Sequence, residues 1–142
     1  MSENLLKDAD ASGVFHLAPS RLPGIEAAAD RARFCLLKAN IAEHASVEAV
    51  LRQLGSALNF PIWYGANFDA LYDCLTDPAW QPAKGHILLI DGLAGLRATD
   101  PNDFATLIEV LQAAAEARGT TNTPFFVLID SPARGIPAFP EA

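Results

Sequence analysis

The chain has 142 residues, 51% hydrophobic and 19% charged, the balance of one globular domain that can bury a core without disulfide or metal staples. A formal net charge of −7 argues against nucleic acid as a direct ligand, because phosphate binding needs a basic surface. Residues 61–130 hold nine acids against three bases, which favours a basic partner, with an acidic surface that only confers solubility as the plain alternative.

The amino end, Met1-Ser2-Glu3-Asn4, has neither the basic region nor the apolar core of a signal peptide. Val14-Phe15-His16-Leu17 has the length of an extra edge strand. Pro23 to Arg31 suits an extra helix with proline in its first turn. Phe34-Cys35-Leu36-Leu37 is a short apolar run of strand length. Ser46 can cap a helix whose Val47, Val50, Leu51, Leu54 and Leu58 form an apolar stripe, stopped before Pro61.

The run Trp63-Tyr64-Gly65-Ala66-Asn67-Phe68-Asp69-Ala70-Leu71-Tyr72-Asp73-Cys74-Leu75-Thr76 reads as an aromatic loop feeding a short amphipathic helix. Asn67 stands where an N-cap is wanted, and Gly65 where a loop needs backbone freedom. Phe68, Leu71, Tyr72 and Leu75 have the spacing of one buried face. Asp69 and Asp73 then lie one turn apart beside that face, a like-charge pair that costs roughly 0.2–0.5 kcal/mol. No base from Gln53 to Ala83 relieves it. A local rule broken without compensation marks a place to look for function.

A connection with two prolines, Asp77-Pro78-Ala79-Trp80-Gln81-Pro82, leads to the strand His86–Ile90, after which Gly92 and Gly95 suit a turn. Its Ile87–Ile90 core is far too short to span a bilayer. Asp100-Pro101-Asn102-Asp103 opens the longest helix with a capping acid, proline at the first helical position and a second acid three residues on. Phe104, Leu107, Ile108 and Leu111 form its inner face, and Gly119 suits a stop. Phe125–Ile129, apolar throughout, predicts a strand buried on both faces. Ser131–Ala142, with three prolines, reads as a loose end. Strands alternating with helices imply an α/β fold with a small, mainly parallel sheet and helical crossovers.

Enzymatic signatures are sparse. His16, His44 and His86 have no metal-ligand spacing, with His86 placed simplest at a strand edge and His44 in a loop. No phosphate-cradling glycine motif or nucleophile elbow is present. Asp69, Asp73 and Asp77, with Asp91 at a strand end, have the oxygen chemistry for Mg²⁺ in a metal-dependent phosphohydrolase. That chemistry usually recruits Lys or Arg to hold its substrate, and this helix has none. The aromatics suit a protein contact surface. Structural roles stay open beside it: the helix dipole welcomes Asp69, Tyr72 fits a core, and Trp63 and Tyr64 can cover the sheet end. Cys35 and Cys74 form no CxxC and read as reduced thiols of a cytoplasmic protein.

The run from Pro61 to Thr76 resembles the signature of the barstar family of intracellular ribonuclease inhibitors: an aromatic pair, Gly, Asn, an apolar residue, Asp-Ala-Leu, an aromatic, Asp and Leu-Thr. The order of elements agrees over residues 32–130, with 1–31 as an N-terminal extension and 131–142 as a tail. The resemblance implies a barstar-like three-stranded sheet with crossover helices, plus the extra N-terminal strand and helix. It implies no catalysis and no cofactor. The expected partner is a basic, secreted or toxin ribonuclease of the guanyl-specific barnase type, met by a cytoplasmic immunity or antitoxin protein. Carried over by position, Asp73 is the central anion, Asp69 the second charge, Trp63 a stacking residue, Tyr72 the counterpart of a family Trp, and Phe68 the apolar contact. Tyr64, Asp77 and Trp80 complete the candidate partner-binding set. The chain departs from the pattern where Asp77-Pro78 replaces Gly-Trp, with Trp80 two positions later. It departs again where Ala114, with Glu116 nearby, replaces a contacting Glu. An adaptor for another basic protein is the remaining alternative.

Overall fold

A computed structural model describes the backbone of residues 2–43 and 45–140, and side chains from Asn4 on; the expected loop position of His44 lies outside the described residues. The elements are α1 (Ser2–Leu6), β1 (Gly13–His16), α2 (Leu22–Ala32), β2 (Cys35–Asn40), α3 (Val47–Ala57), α4 (Phe68–Thr76), β3 (His86–Asp91), α5 (Ala94–Thr99), α6 (Pro101–Thr120) and β4 (Phe125–Ile129). The helices α1 and α5 were not expected, and Gly95 falls inside α5.

One sheet of four strands runs in the order β1-β4-β3-β2 with every neighbouring pair parallel. The extra N-terminal strand thus joins the sheet at its β4 edge. All of β4 is buried, as its unbroken apolar run predicts for a strand covered on both faces. Alternate residues feed opposite cores. Leu88, Ile90, Phe125, Val127 and Ile129 pack beneath α3, α4, α5 and α6. Ile87, Leu89, Phe126 and Leu128 meet Ile25, Ala28 and Ala29 of α2, with Leu6 and Phe139.

Local capping holds as expected. The Ser46, Asn67 and Asp100 side chains accept backbone N–H bonds from Ala49, Ala70 and Asp103. On α6, Phe104, Leu107 and Leu111 are buried, continued by Ala114 and Ala115.

Three expectations are corrected. Over its described residues the tail is not loose: Phe139 is buried, and its N–H bonds His16 O at 2.9 Å while His16 N–H bonds Pro137 O at 2.9 Å. Edge strand β1 leaves backbone groups to be satisfied, and the tail supplies them while Phe139 meets Phe126 edge-on. Gly119 does not stop α6, which continues to Thr120. A Cβ there would lie 2.5 Å from Ala9 O, so glycine permits the N-terminal turn to pack closely. His86 is no edge residue but the fully buried first residue of a central strand. Gly92 does turn the chain after β3, at φ +95°, where a Cβ would meet Ile41 O.

Candidate functional site

The acidic helix is held by what precedes it. After α3 the chain reverses at Asn59 (φ 56°), and Phe60 N–H returns to Gly55 O. Tyr64 then folds back so that its Oη donates to Leu51 O at 2.8 Å and its ring meets Phe60 edge-on at 4.8 Å. Gly55 makes this possible, because a Cβ there would lie 2.7 Å from the Tyr64 ring. Burial pushes the Tyr64 phenol up to about 12, with the Cys74 thiol a lesser cause, so it stays a hydrogen-bond donor. Backbone freedom is needed not at Gly65 but at Ala66, whose φ of 53° turns the chain into the Asn67 cap. For an alanine that conformation costs about 1–2 kcal/mol.

Trp80 supplies a second strut. It is buried, and its Nε1–H donates to Leu58 O at 2.7 Å. Its ring stacks on His86 at 5.6 Å and meets Phe60 edge-on at 5.5 Å. Tyr64 therefore ties the loop before α4 to a carbonyl in the middle of α3, and Trp80 ties the connection after α4 to the carbonyl that caps α3.

With the loop anchored, Leu71, Cys74 and Leu75 turn inward, while Phe68 is half-buried against the same core. Tyr72 departs from the expected buried face and is 37% exposed. Trp63 is 54% exposed, and Ile62 stands fully in solvent. These three are the exposed large hydrophobic side chains among the described residues, and all fall in one eleven-residue stretch. Asp69 and Asp73 are exposed beside them. Among the described residues neither forms an ion pair. Asp77, half-buried, caps the following turn through Oδ1, which accepts from Ala79 N–H at 2.9 Å. Burial first, then Asp73 and Asp77, pushes the Cys74 thiol up to about 11, so it is neutral.

Behind this front lies a buried cation. Arg118 sits on the apolar stripe of α6, eleven residues beyond Leu107, with Nη1 donating to Asp77 O at 3.1 Å and Nη2 directed at the His86 ring. Its Nε is buried without a partner, and its Cζ lies 5.8 Å from the Phe125 ring centre. His86 Nε2 lies 2.6 Å from Gln81 O, which assigns the proton to Nε2 and leaves Nδ1 to accept from Arg118. Sequence reasoning missed Ile62 and Arg118. Ile62 was legible as an apolar loop residue outside any helical or strand period, and Arg118 as a charge continuing the α6 stripe.

The expected grouping of Asp91 with Asp69 and Asp73 does not occur. Asp91 lies at the end of β3, lining a cavity with Leu17, Pro19, Lys38 and Asp130 on the α2 face. Burial first, and then Asp130, raises its pKa, with Lys38 opposing. Among the described residues no group of three or more His, Cys, Asp or Glu is placed to hold a metal ion. No helix among them is long and apolar enough to cross a membrane. Ala114 is fully buried, and Glu116 lines a cavity on the β1 side of α6, with Ser12, Gly13 and Pro137.

The family described as Barstar (barnase inhibitor) matches residues 34–130, more than half of the chain. The chain belongs to the barstar family. A search of the curated proteins finds no match. The match opens one residue before β2 and closes one after β4, so α1, β1, α2 and the packed tail lie outside it. This is a family of inhibitors, not enzymes.

Proposed function

We propose that the protein inhibits a basic, guanyl-specific ribonuclease of the barnase type by seating α4 and the loop before it in the enzyme's cleft. One observation carries this: the exposed Ile62, Trp63 and Tyr72 share a stretch with Asp69 and Asp73, and no cation lies between residues 53 and 83. Exposed aromatics beside unpaired carboxylates fit a partner that is cationic and desolvates on contact. Asp73 stands for the substrate's phosphate, Asp69 flanks it, and Trp63, Phe68 and Tyr72 cover the contact. Tyr64 and Trp80 set the loop's shape, and Asp77 borders the contact. Inhibition is occlusion, with no bond made or broken. The setting is the cytoplasm, where such a protein confers immunity to a secreted or delivered nuclease.

The test is ribonuclease activity of a barnase-type enzyme titrated with wild type and with Asp73→Ala. Stoichiometric loss of activity with wild type is expected, with the variant weakened by roughly 2–5 kcal/mol, about 30- to several thousand-fold. That range is the one known for charge pairs of the barnase–barstar complex, carried over by family. Full activity at excess wild type would overturn the proposal and turn the search toward another basic protein.

A further inference from the structure

A cavity of about 350 Å³ opens between the aromatic loop and the C-terminal end of α4, lined by Trp63, Cys74, Asp77, Trp80 and Gln81 among others. Its walls have one chemical character. Trp63 is half exposed and, among the described residues, stacks on no other ring. Trp80, buried with its N–H on Leu58 O and its ring against His86 and Phe60, closes the floor of the cavity. The Asp77 carboxylate uses Oδ1 within its own turn, while Oδ2 has no protein partner among the described residues. Arg118 bonds the Asp77 main-chain oxygen and lines a different cavity, beyond Pro78; the Asp77 charge opposes the lowering of its pKa by burial, yet no side-chain ion pair forms between the two among the described residues. The cavity thus joins one exposed indole, Trp63, to an acid with one free oxygen, in a stretch that has no cation of its own.

We infer that this cavity is a slot for an arginine side chain of the partner, its guanidinium laid against the exposed Trp63 ring and bonded to the Asp77 carboxylate. The inference rests on the proposed ribonuclease contact and names what the partner must present beside its cleft. A guanidinium is flat, stacks on aromatic faces and is less strongly hydrated than an ammonium, which suits an aromatic slot better than lysine does. The neutral Cys74 thiol neither repels nor competes with it. The slot exists here because Asp77 stands where the family pattern has glycine.

Two measurements separate this inference from the reading beneath it. In the first, the ¹⁵N-labelled protein is titrated with N-acetyl-arginine amide, and with N-acetyl-leucine amide as control. Saturable shifts at the Trp63 indole and Asp77 amide with the arginine compound alone, lost in Asp77→Asn, support the slot. The Asn variant retains an oxygen for Ala79 N–H, so its turn is preserved. Absent shifts, equal shifts with leucine, or shifts unchanged in Asp77→Asn overturn it. In the second, Asp77→Asn is expected to weaken inhibition of a barnase-type ribonuclease about 10- to 100-fold. Unaltered inhibition by Asp77→Asn, with wild type active, defeats the slot and leaves the proposed function standing. A wild type that inhibits nothing defeats the proposed function, and the arginine titration then decides the slot by itself.

Discussion

The front and the rear of α4 sort charge in opposite ways. The front carries Asp69 and Asp73 in solvent beside Trp63 and Tyr72, with no cation paired to them among the described residues. The rear carries Arg118, a cation buried against Phe125 and a neutral His86, bonded to the carbonyl that follows α4. Here the front is released from structural duty, and the rear bears the cost of a buried charge so that the helix end and the loop keep their place.

The comparison breaks most visibly by removing Asp73. Against its loss of about 30-fold or more in inhibition, Glu109→Ala, on α6, is expected to change inhibition less than about twofold. Equal effects of the two variants in the same titration would mean that the front is not the contact. Neither substitution touches the core, so unfolding midpoints should move little.

At the rear the order of effects reverses, stability before binding. Trp80→Ala removes a buried indole together with its bond to Leu58 O, and is expected to cost about 3–5 kcal/mol of folding stability. Trp80→Phe keeps most of the packing but orphans the carbonyl, for about 1–3 kcal/mol. Urea unfolding of both variants checks the ranking. If Trp80→Phe matched wild type in stability, the strut would be packing alone.

The front was more legible in the sequence than the rear. Asn67, Ser46 and Asp100 act within three residues of themselves, so their caps could be read directly, as could the apolar runs of β3 and β4. Trp80 lies in a connection with no period, and its partners Leu58 and His86 are fixed only by the fold. The same holds for Phe139 on His16 and for Gly119 against Ala9: each depends on a contact more than a hundred residues away in the chain. Composition made the tail look loose because prolines forbid a regular strand, yet they do not forbid single backbone bonds to an edge.

His86 tests the rear by pH. Burial, opposed by the Gln81 carbonyl and reinforced by Arg118, lowers its pKa below the ordinary 6.5. The unfolded chain therefore takes up the proton first, and stability falls as pH drops below about 6.5, by at most about 1.4 kcal/mol per pH unit from this group. His86→Gln should flatten that part of the profile in urea midpoints measured from pH 7.5 to pH 5. A slope identical to wild type would assign the loss to carboxylates instead.

The smallest effect belongs to the hinge between the two regions. Ala66 holds a left-handed backbone at φ 53° immediately before the Asn67 cap, and only glycine adopts that conformation without penalty. Ala66→Gly relieves about 1–2 kcal/mol of strain and adds about 0.5–1 kcal/mol of unfolded-state entropy, so a net stabilisation of about 0.5 kcal/mol is expected in urea unfolding. A freer hinge should at the same time bind slightly less well, because a loop that samples more conformations must be ordered on contact. Stability and inhibition moving in opposite directions would show that strain at Ala66 pre-sets the front. If both rose together, the strained alanine would have no part in presenting the acidic helix.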